Sequence, residues 1–334
     1  MILPHSRRLW QALLPVLGLL LLVPACSTGP SAAPGSSAGG DKIVVGLTYT
    51  ADVQFSPFYV AAEKGYFADE GLTVTLRHHG ASESLLGALQ AGTEDVVYAG
   101  GDEMMVNRAS GVDVVDFATV YQTYPGELIV PADSRIDSPA DLRGRPIGVP
   151  GKYGETWYTL LALLNEAGLS QEDVDIQTIG FTQQSALMTG KVDAVVGFSN
   201  NDAVQFEQAG FGVRGIAPST GTPLVGLGLG AMAGTVSEHG TDLVKLLHAV
   251  QRAAADCASD PDEAVGLSAR YVTTLTDDEQ RAKAKATLEA TNALYGDDFG
   301  AQDAETWNAM SAFLAAKGIT AETVDPQAAY TSLG

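Results

Sequence analysis

Cysteine, basic residues and long apolar runs are all scarce in this chain, and each scarcity removes a class of protein. Two cysteines, Cys26 and Cys257, in 334 residues cannot staple a small domain with several disulfides or build a multi-cysteine metal centre. Lys and Arg number 19 against 40 Asp and Glu, a formal net charge of −21. A surface of that sign repels phosphate backbones, so nucleic acid is not an expected partner. The one extended apolar run, residues 13–23, falls short of the roughly 20 residues a spanning helix needs. Histidine is rare too, and the pair His78-His79 sits at a strand end, where neighbours point to opposite faces. No partner lies at ligand spacing in the sequence, so no metal site is expected.

What is present begins with a leader. Arg7 and Arg8, the Leu-rich stretch 13–23 and the small Ala25 form the basic, apolar and small-residue regions of a secretion signal over residues 1–25. Leu22-Val23-Pro24-Ala25-Cys26 resembles a bacterial lipoprotein cleavage box. In that reading Cys26 becomes the lipidated first residue and anchors the chain to the outer face of the cytoplasmic membrane. The alternative is plain secretion after cleavage near Ala25. Ser6-Arg7-Arg8 leaves the twin-arginine route open beside general secretion. Residues 26–40, rich in Ser, Gly, Pro and Ala, form a flexible tether. The match Gly35-Ser36-Ser37-Ala38-Gly39 lies in that tether, with no strand before it and no helix after it, so it is no nucleophile elbow. Cys257 lies in an Ala-rich helical stretch and reads as a buried thiol.

Residues 43–77 hold a complete strand, loop, helix, loop, strand unit. The run 43–47 is apolar, as in a buried parallel strand. Ser56-Pro57 makes a helix start, and Phe55, Phe58, Tyr59, Ala62 and Tyr66 recur on one helical face, of which Phe58, Tyr59 and Tyr66 read as scaffold. Gly65 ends the helix. Leu72, Val74 and Leu76 alternate with Thr73, Thr75 and Arg77, a strand period. Open α/β sheets bind ligands beyond the carboxyl ends of their strands, so the loop 48–55 is expected to line a cleft.

The alternation continues. A helix is expected over 82–90, a strand over 95–99, a helix over 104–109, and strands over 114–120 and 127–130. A second series follows, with strands at 146–149, 176–179 and 192–197 and helices at 155–167, 183–189 and 202–209. Leu89-x-x-Gly92-x-x-Asp95-x-Val97 returns as Leu187-x-x-Gly190-x-x-Asp193-x-Val195, each glycine ending a helix and each valine entering a strand. Residues 222–233 read as a glycine-laced strand. Gly226-x-Gly228 lies inside that run rather than before a helix, which discounts a dinucleotide fingerprint. Helices over 243–258, 263–271, 277–293 and 304–317 complete an α/β chain with a helical tail.

Tyr59-Val60-Ala61-Ala62-Glu63-Lys64-Gly65-Tyr66-Phe67, Glu70-Gly71-Leu72-Thr73-Val74, Ser138-Pro139-Ala140-Asp141-Leu142-Arg143-Gly144, Ile147-Gly148-Val149-Pro150-Gly151 and Gly190-Lys191-Val192-Asp193-Ala194 together resemble the ABC-transporter solute-binding proteins of the sulfonate-binding and thiamine-pyrimidine-precursor (THI5-like) family. The resemblance covers about residues 43–233. It implies a two-lobe periplasmic-binding-protein (type II) fold, two doubly wound sheets joined by a two-strand hinge, with the ligand held between the lobes and closure signalled to a permease. Carried onto this chain, it implies crossing strands near 127–131 and 225–230. Lobe 1 would take residues 41–130, lobe 2 residues 131–225, and residues 226–334 would return to lobe 1 with the C-terminal helices. Implied partners are a small-molecule ligand, the ABC permease and ATPase, and the membrane through the lipid. A monomer without a cofactor is expected.

The loops that would converge on the cleft carry Tyr49, Gln54, Phe55, Tyr98, Asp102, Glu103, Tyr121, Tyr124 and Glu127 in the first part, and Tyr153, Gly154, Glu155, Thr156, Trp157, Asn200, Asn201 and Asp202 in the second. Lys152 is the one cation among them. A sulfonate or nitrate would call for Arg, Lys or free helix amides. Acids facing aromatics instead suit a flat nitrogen heterocycle, whose ring stacks while carboxylates accept from its N–H groups. An aminopyrimidine thiamine precursor is the first expectation, with riboflavin or a sulfonate as alternatives. Glu103, Glu155 and Asp202 would also favour the helix N-termini on which they sit. The fungal pyrimidine synthases of the same resemblance use a Cys-rich motif that this chain lacks, so an enzyme is not expected. A tethered sensor is the remaining class.

Overall fold

A computed structural model of the chain describes residues 41–80, 83–219 and 223–333. The leader, Cys26 and the tether expected over residues 1–40 lie outside the described residues. Among the described residues no helix is long and apolar enough to cross a membrane.

The elements alternate as the periodicity requires. β1 (Asp41–Leu47), α1 (Ser56–Glu63), α2 (Tyr66–Asp69), β2 (Leu72–His78), α3 (Gly87–Gln90), β3 (Val96–Gly100), α4 (Gly101–Ala109) and β4 (Val114–Thr119) make the first series. β5 (Gly126–Pro131), β6 (Pro146–Val149), α5 (Gly154–Glu166), β7 (Asp175–Thr178), α6 (Gln183–Met188), β8 (Ala194–Phe198), α7 (Asp202–Gln208) and β9 (Val213–Ile216) make the second. β10 (Leu227–Met232) follows, then α8 (Ala233–Ser259), α9 (Pro261–Ser268), α10 (Asp278–Asn292), α11 (Ala304–Ala316) and α12 (Pro326–Ala329).

The strands form two five-stranded sheets of matching order, β2-β1-β3-β10-β4 and β7-β6-β8-β5-β9. In each, four strands run in one direction and the fourth in order, β10 or β5, is antiparallel to both its neighbours. The chain passes between the sheets along residues 120–125 and again between β9 and β10. β5, expected as a crossing strand, is hydrogen-bonded into the second sheet from Gly126 onward, and β10 lies within the first. The crossings therefore precede these two strands rather than being formed by them.

The sequence echo has a physical basis in this symmetry. Gly92 and Gly190 both take φ +67° just past α3 and α6. Leu89 and Leu187 are each 2% exposed, and Val97 and Val195 are fully buried in β3 and β8, the third strand of each sheet. The Asp95 and Asp193 amides donate to Val44 O and Pro146 O, both at 2.9 Å, tying each central strand to the strand beside it.

Helices cover both faces of each sheet, as a parallel sheet requires. Phe58, Tyr59 and Tyr66 are buried in the first core, in agreement with their helical spacing. α8 and α9 pack on α1, and Lys64 Nζ donates to Asp256 Oδ2 (2.9 Å) and Glu263 Oε2 (2.6 Å), clamping the tail to this lobe. α10 reaches both lobes: it packs on the 3-10 turn Val53–Phe55 and on α7, and Lys283 O accepts from Gln208 Nε2 at 2.9 Å. α11 sends Trp307 and Met310 into the second core. Trp307 Nε1 donates to Gln302 Oε1 (2.7 Å), and Gln302 Nε2 donates to Asp116 Oδ1 (2.7 Å), which ties the tail to edge strand β4.

Several elements differ from the sequence expectation. α4 starts at Gly101 rather than 104, which brings Asp102 and Glu103 into its first turn. The helix expected over 82–90 shortens to α3, and the strand expected over 222–233 to β10. α9 spans Pro261–Ser268 rather than 263–271. α2, β9 and α12 carry too few periodic residues to register.

Gly92 and Gly190 have open space around the position a Cβ would take, so alanine there meets only the backbone cost of a left-handed conformation. Gly92→Ala and Gly190→Ala should each lower stability by about 1–2 kcal/mol in urea unfolding, and the double substitution should show the sum because the sites are far apart. No change in either single variant would contradict the positive-φ assignment.

Candidate functional site

The N-termini of α4 and α5 bring acids of both lobes together. A Cβ placed on Gly100 would lie 2.5 Å from Asp102 Oδ1 and 2.8 Å from Glu155 Oε1, and one on Gly154 would lie 3.0 Å from Glu103 Oε1. Only glycine leaves room for these carboxylates. Asp102 is fully buried and Glu155 is 8% exposed. Asp102 Oδ1 accepts from the Glu103 amide (2.7 Å), and Glu103 Oε2 lies 3.4 Å from the Gly100 amide. Tyr124, on the crossing between the sheets, donates its hydroxyl to Asp102 Oδ2 at 2.7 Å and lies 3.1 Å from Glu155 O. Glu155 Oε1 is buried without a hydrogen-bond partner. A buried acceptor without a donor carries its full desolvation cost.

Aromatic rings sit beside the acids. Tyr98 makes edge contacts with Phe55 (6.1 Å between centroids), Phe58 (5.0 Å) and Tyr121 (6.1 Å), and Tyr121 meets Tyr295 at 5.7 Å. The Tyr121 hydroxyl neighbours Tyr98 and Asn200, and the charges of Glu155 and Asp52 both act on it. Asn200, 1% exposed, donates Nδ2 to Thr291 Oγ1 of α10 at 2.9 Å and leaves Oδ1 unpartnered. Phe55, Tyr98, Tyr121, Asn200, Asp102, Tyr124 and Glu155 are thus brought into one neighbourhood between the lobes.

The other expected residues lie around it. Tyr49, 41% exposed, feels the charges of Asp202 and Asp52 and touches Phe181 of the second lobe, with ring centroids 6.2 Å apart. Glu127 and Asp202 influence each other on the second sheet, where Asp202 Oδ2 accepts from the Phe198 amide at 2.8 Å. Gln54 is buried in the 3-10 turn, and Thr156 is half-buried on α5. Asn201, the residue before α7, accepts from Gln205 in its first turn. Tyr153 is 62% exposed. Trp157 packs in the second core with Lys152 Nζ 5.5 Å above its ring.

Asp52, Phe181, Thr291 and Tyr295 were missed by the sequence reading. Asp52 had a local signal, an N-cap accepting from the Gln54 amide. The other three are placed by contacts between distant segments and had none. The structure also corrects the reading of His79. Glu83 and Glu94 lie within 4.8 Å of it at ligand-like distances, because β1 brings residue 94 beside residue 79. Arg77 occupies both carboxylates, with Nη1 2.5 Å from Glu94 and Nη2 2.5 Å from Glu83, so the cluster is a satisfied ion-pair network.

Burial pushes the site acids upward. Asp102 and Glu155 are held well above the carboxylate range by desolvation and by neighbouring acids, and Glu103, which keeps some solvent contact, is held up to about 7. Burial also raises Glu127 and Asp116 to about 7 and Asp202 to about 6. Folded values above unfolded ones mean that the unfolded chain releases protons first as pH rises. The stabilisation is therefore complete below the ordinary carboxylate values and is lost as pH climbs through the folded ones. The lowered acids Glu83, Asp141, Asp173, Asp256 and Asp303 act in the opposite sense at more acid pH, and His78, pushed down by burial, offsets part of the effect. The ligand-free protein should melt at a higher temperature at about pH 5 than at about pH 8, and Glu155→Gln should narrow the difference. A melting temperature that rises over this interval would contradict the assignment.

The chain is similar in sequence and fold to known proteins. The family model described as NMT1/THI5 like matches residues 52–264. The riboflavin-binding protein RibY of Chloroflexus aurantiacus is 31% identical, over 94% of each chain. The formylaminopyrimidine-binding protein of Halalkalibacterium halodurans is 25% identical, over 94% of this chain and 96% of that one. The solved structure of the periplasmic aliphatic sulphonate binding protein SsuA from Escherichia coli superposes with a TM-score of 0.71 at 18% identity, over 87% of this chain and 92% of that chain, a likeness of fold. Two lobes built from sheets of matching order, and a family match across most of their length, place this chain in the NMT1/THI5-like family.

Proposed function

We propose that this chain is the extracytoplasmic solute-binding protein of an ABC importer and that it captures a flat nitrogen heterocycle between its lobes, riboflavin in first place. Glu155 carries the reading: a buried carboxylate oxygen without a donor, next to Asp102 and the ring cluster of Phe55, Tyr98 and Tyr121. A ligand that supplies N–H or O–H donors removes the cost of that acceptor, and the buried rings of Phe55, Tyr98 and Tyr121 stand beside it as apolar packing for a flat ring. Isoalloxazine offers a ring N–H and its ribityl chain several hydroxyls. The similarity to a riboflavin-binding protein across 94% of the chain supports this order over the aminopyrimidine first expected. The closely placed carboxyls of Asp102 and Glu155 favour the aminopyrimidine as second reading, since an exocyclic amine beside a ring nitrogen presents donors to both. A sulfonate brings no N–H or O–H donor to the unpartnered Glu155 oxygen, and it would be repelled by any of these acids that ionises.

Binding without catalysis fits the thiol chemistry. Cys257, the one cysteine among the described residues, is buried and its thiol is pushed up to about 12, far from the thiolate needed for nucleophilic or redox work. Export through the leader 1–25, lipidation at Cys26 and the tether 26–40 complete the proposal, with a permease and ATPase as partners and a monomer as the working unit.

Riboflavin should bind one to one, followed by quenching of its fluorescence. Glu155→Gln, which removes a charge-assisted acceptor, should weaken binding by about 10- to 100-fold. An alkanesulfonate should not displace the flavin. Stabilisation of the protein against heat by alkanesulfonates alone would overturn the heterocycle reading.

A further inference from the structure

Phe181 belongs to no expected element and is 56% exposed; a lone exposed ring carries little meaning, and its interest lies in the Tyr49 ring of the other lobe beside it. Phe181 stands on a short corner between β7 and α6. The Ile179 amide donates to Val149 O at 2.9 Å, Gly180 takes φ +61°, and Thr182 Oγ1 donates to Ile179 O at 2.6 Å. The ring is therefore presented by a bonded corner at the carboxyl end of β7. Tyr49 is presented in the same way at the carboxyl end of β1. Its amide donates to Leu47 O at 2.8 Å, and its carbonyl lies 3.0 Å from His78 Nδ1, whose Nε2 is 2.9 Å from Tyr59 Oη. These are the strand ends at which open α/β sheets hold ligands.

The two rings meet across the lobes at 6.2 Å and 69°, a T-shaped contact. Such a contact covers little of either ring, and Tyr49 and Phe181 keep 41% and 56% of their surface exposed. A planar ligand would cover what the pair leaves open. Phe181 offers no hydrogen bond, so it favours a flat apolar face and gives nothing to a sulfonate.

We infer that Tyr49 and Phe181 form an aromatic gate at the mouth of the cleft, which parts to admit a flat heterocycle and closes over it, so that Phe181 sets how long the ligand is held. The inference rests on the solute-binding reading above. Closing contacts act mainly on dissociation, so stopped-flow fluorescence with riboflavin is the direct test. Phe181→Ala should speed dissociation about tenfold, with association and the ligand-free melting temperature unchanged, and Phe181→Trp should restore slow release. Dissociation within about twofold of the parent protein in Phe181→Ala would overturn the gate. If the parent protein does not bind riboflavin, the flavin reading alone falls, and Tyr49→Cys combined with Phe181→Cys then tests the gate without ligand. A short bis-maleimide should bridge the two cysteines within one chain, detected by mass spectrometry against each single variant. Labelling of both cysteines without a bridge would overturn the proposal.

Discussion

Carboxyl groups of opposite lobes, Asp102 and Glu103 on α4 and Glu155 on α5, face one another in this protein, and no Lys or Arg among the described residues acts on them. Asp102 and Glu155 are buried and Glu103 keeps some solvent contact; desolvation disfavours the ionised form of all three, and neighbouring acids raise Asp102 and Glu155 further. Closure therefore has to be compensated, by protons or by the donors of a ligand. The glycines at positions 100 and 154, the tyrosine on the crossing segment and the short helix starts all serve this approach of like groups. A cleft that closes at low cost only when it is filled makes ligand and conformation one equilibrium.

The scaffold explains how so strained an arrangement is tolerated. Each sheet is buried on both faces, and α10 fastens the lobes to each other through Thr291 and Lys283. α11 adds apolar contacts to the second core through Trp307 and Met310, so a change of angle between the lobes would slide these packed side chains as well as turn the crossing segments. The ion pairs of Lys64 tie the tail to the first lobe, and the chain from Trp307, buried in the second core, through Gln302 to Asp116 on β4 ties that core to the first sheet.

Much of this was legible from residue order alone. Alternating apolar runs and Ser-Pro or glycine boundaries located most strands and helices, and the repeated Leu, Gly, Asp and Val marked the equivalent third strands of both sheets. Of the expected site residues, Phe55, Tyr98, Asp102, Tyr121, Tyr124, Glu155 and Asn200 came together because strand ends in open sheets deliver their loops to one place. What stayed hidden depends on contacts between distant segments. Phe181 looks like an ordinary loop residue until Tyr49 is beside it, Glu94 reaches His79 only through strand pairing, and Thr291 and Tyr295 enter from a helical tail whose docking no local pattern records. Trp157, which sequence placed in the cleft on helical phase, packs in the second core.

The most direct measurement is the radius of gyration of the ligand-free protein by small-angle scattering as a function of pH. If the facing carboxyls govern closure, the protein is compact at about pH 5 and opens at about pH 8 as they ionise, Glu155→Gln stays more compact at the higher pH, and riboflavin closes the parent protein there. A radius that is the same at both pH values in the parent protein would contradict the account.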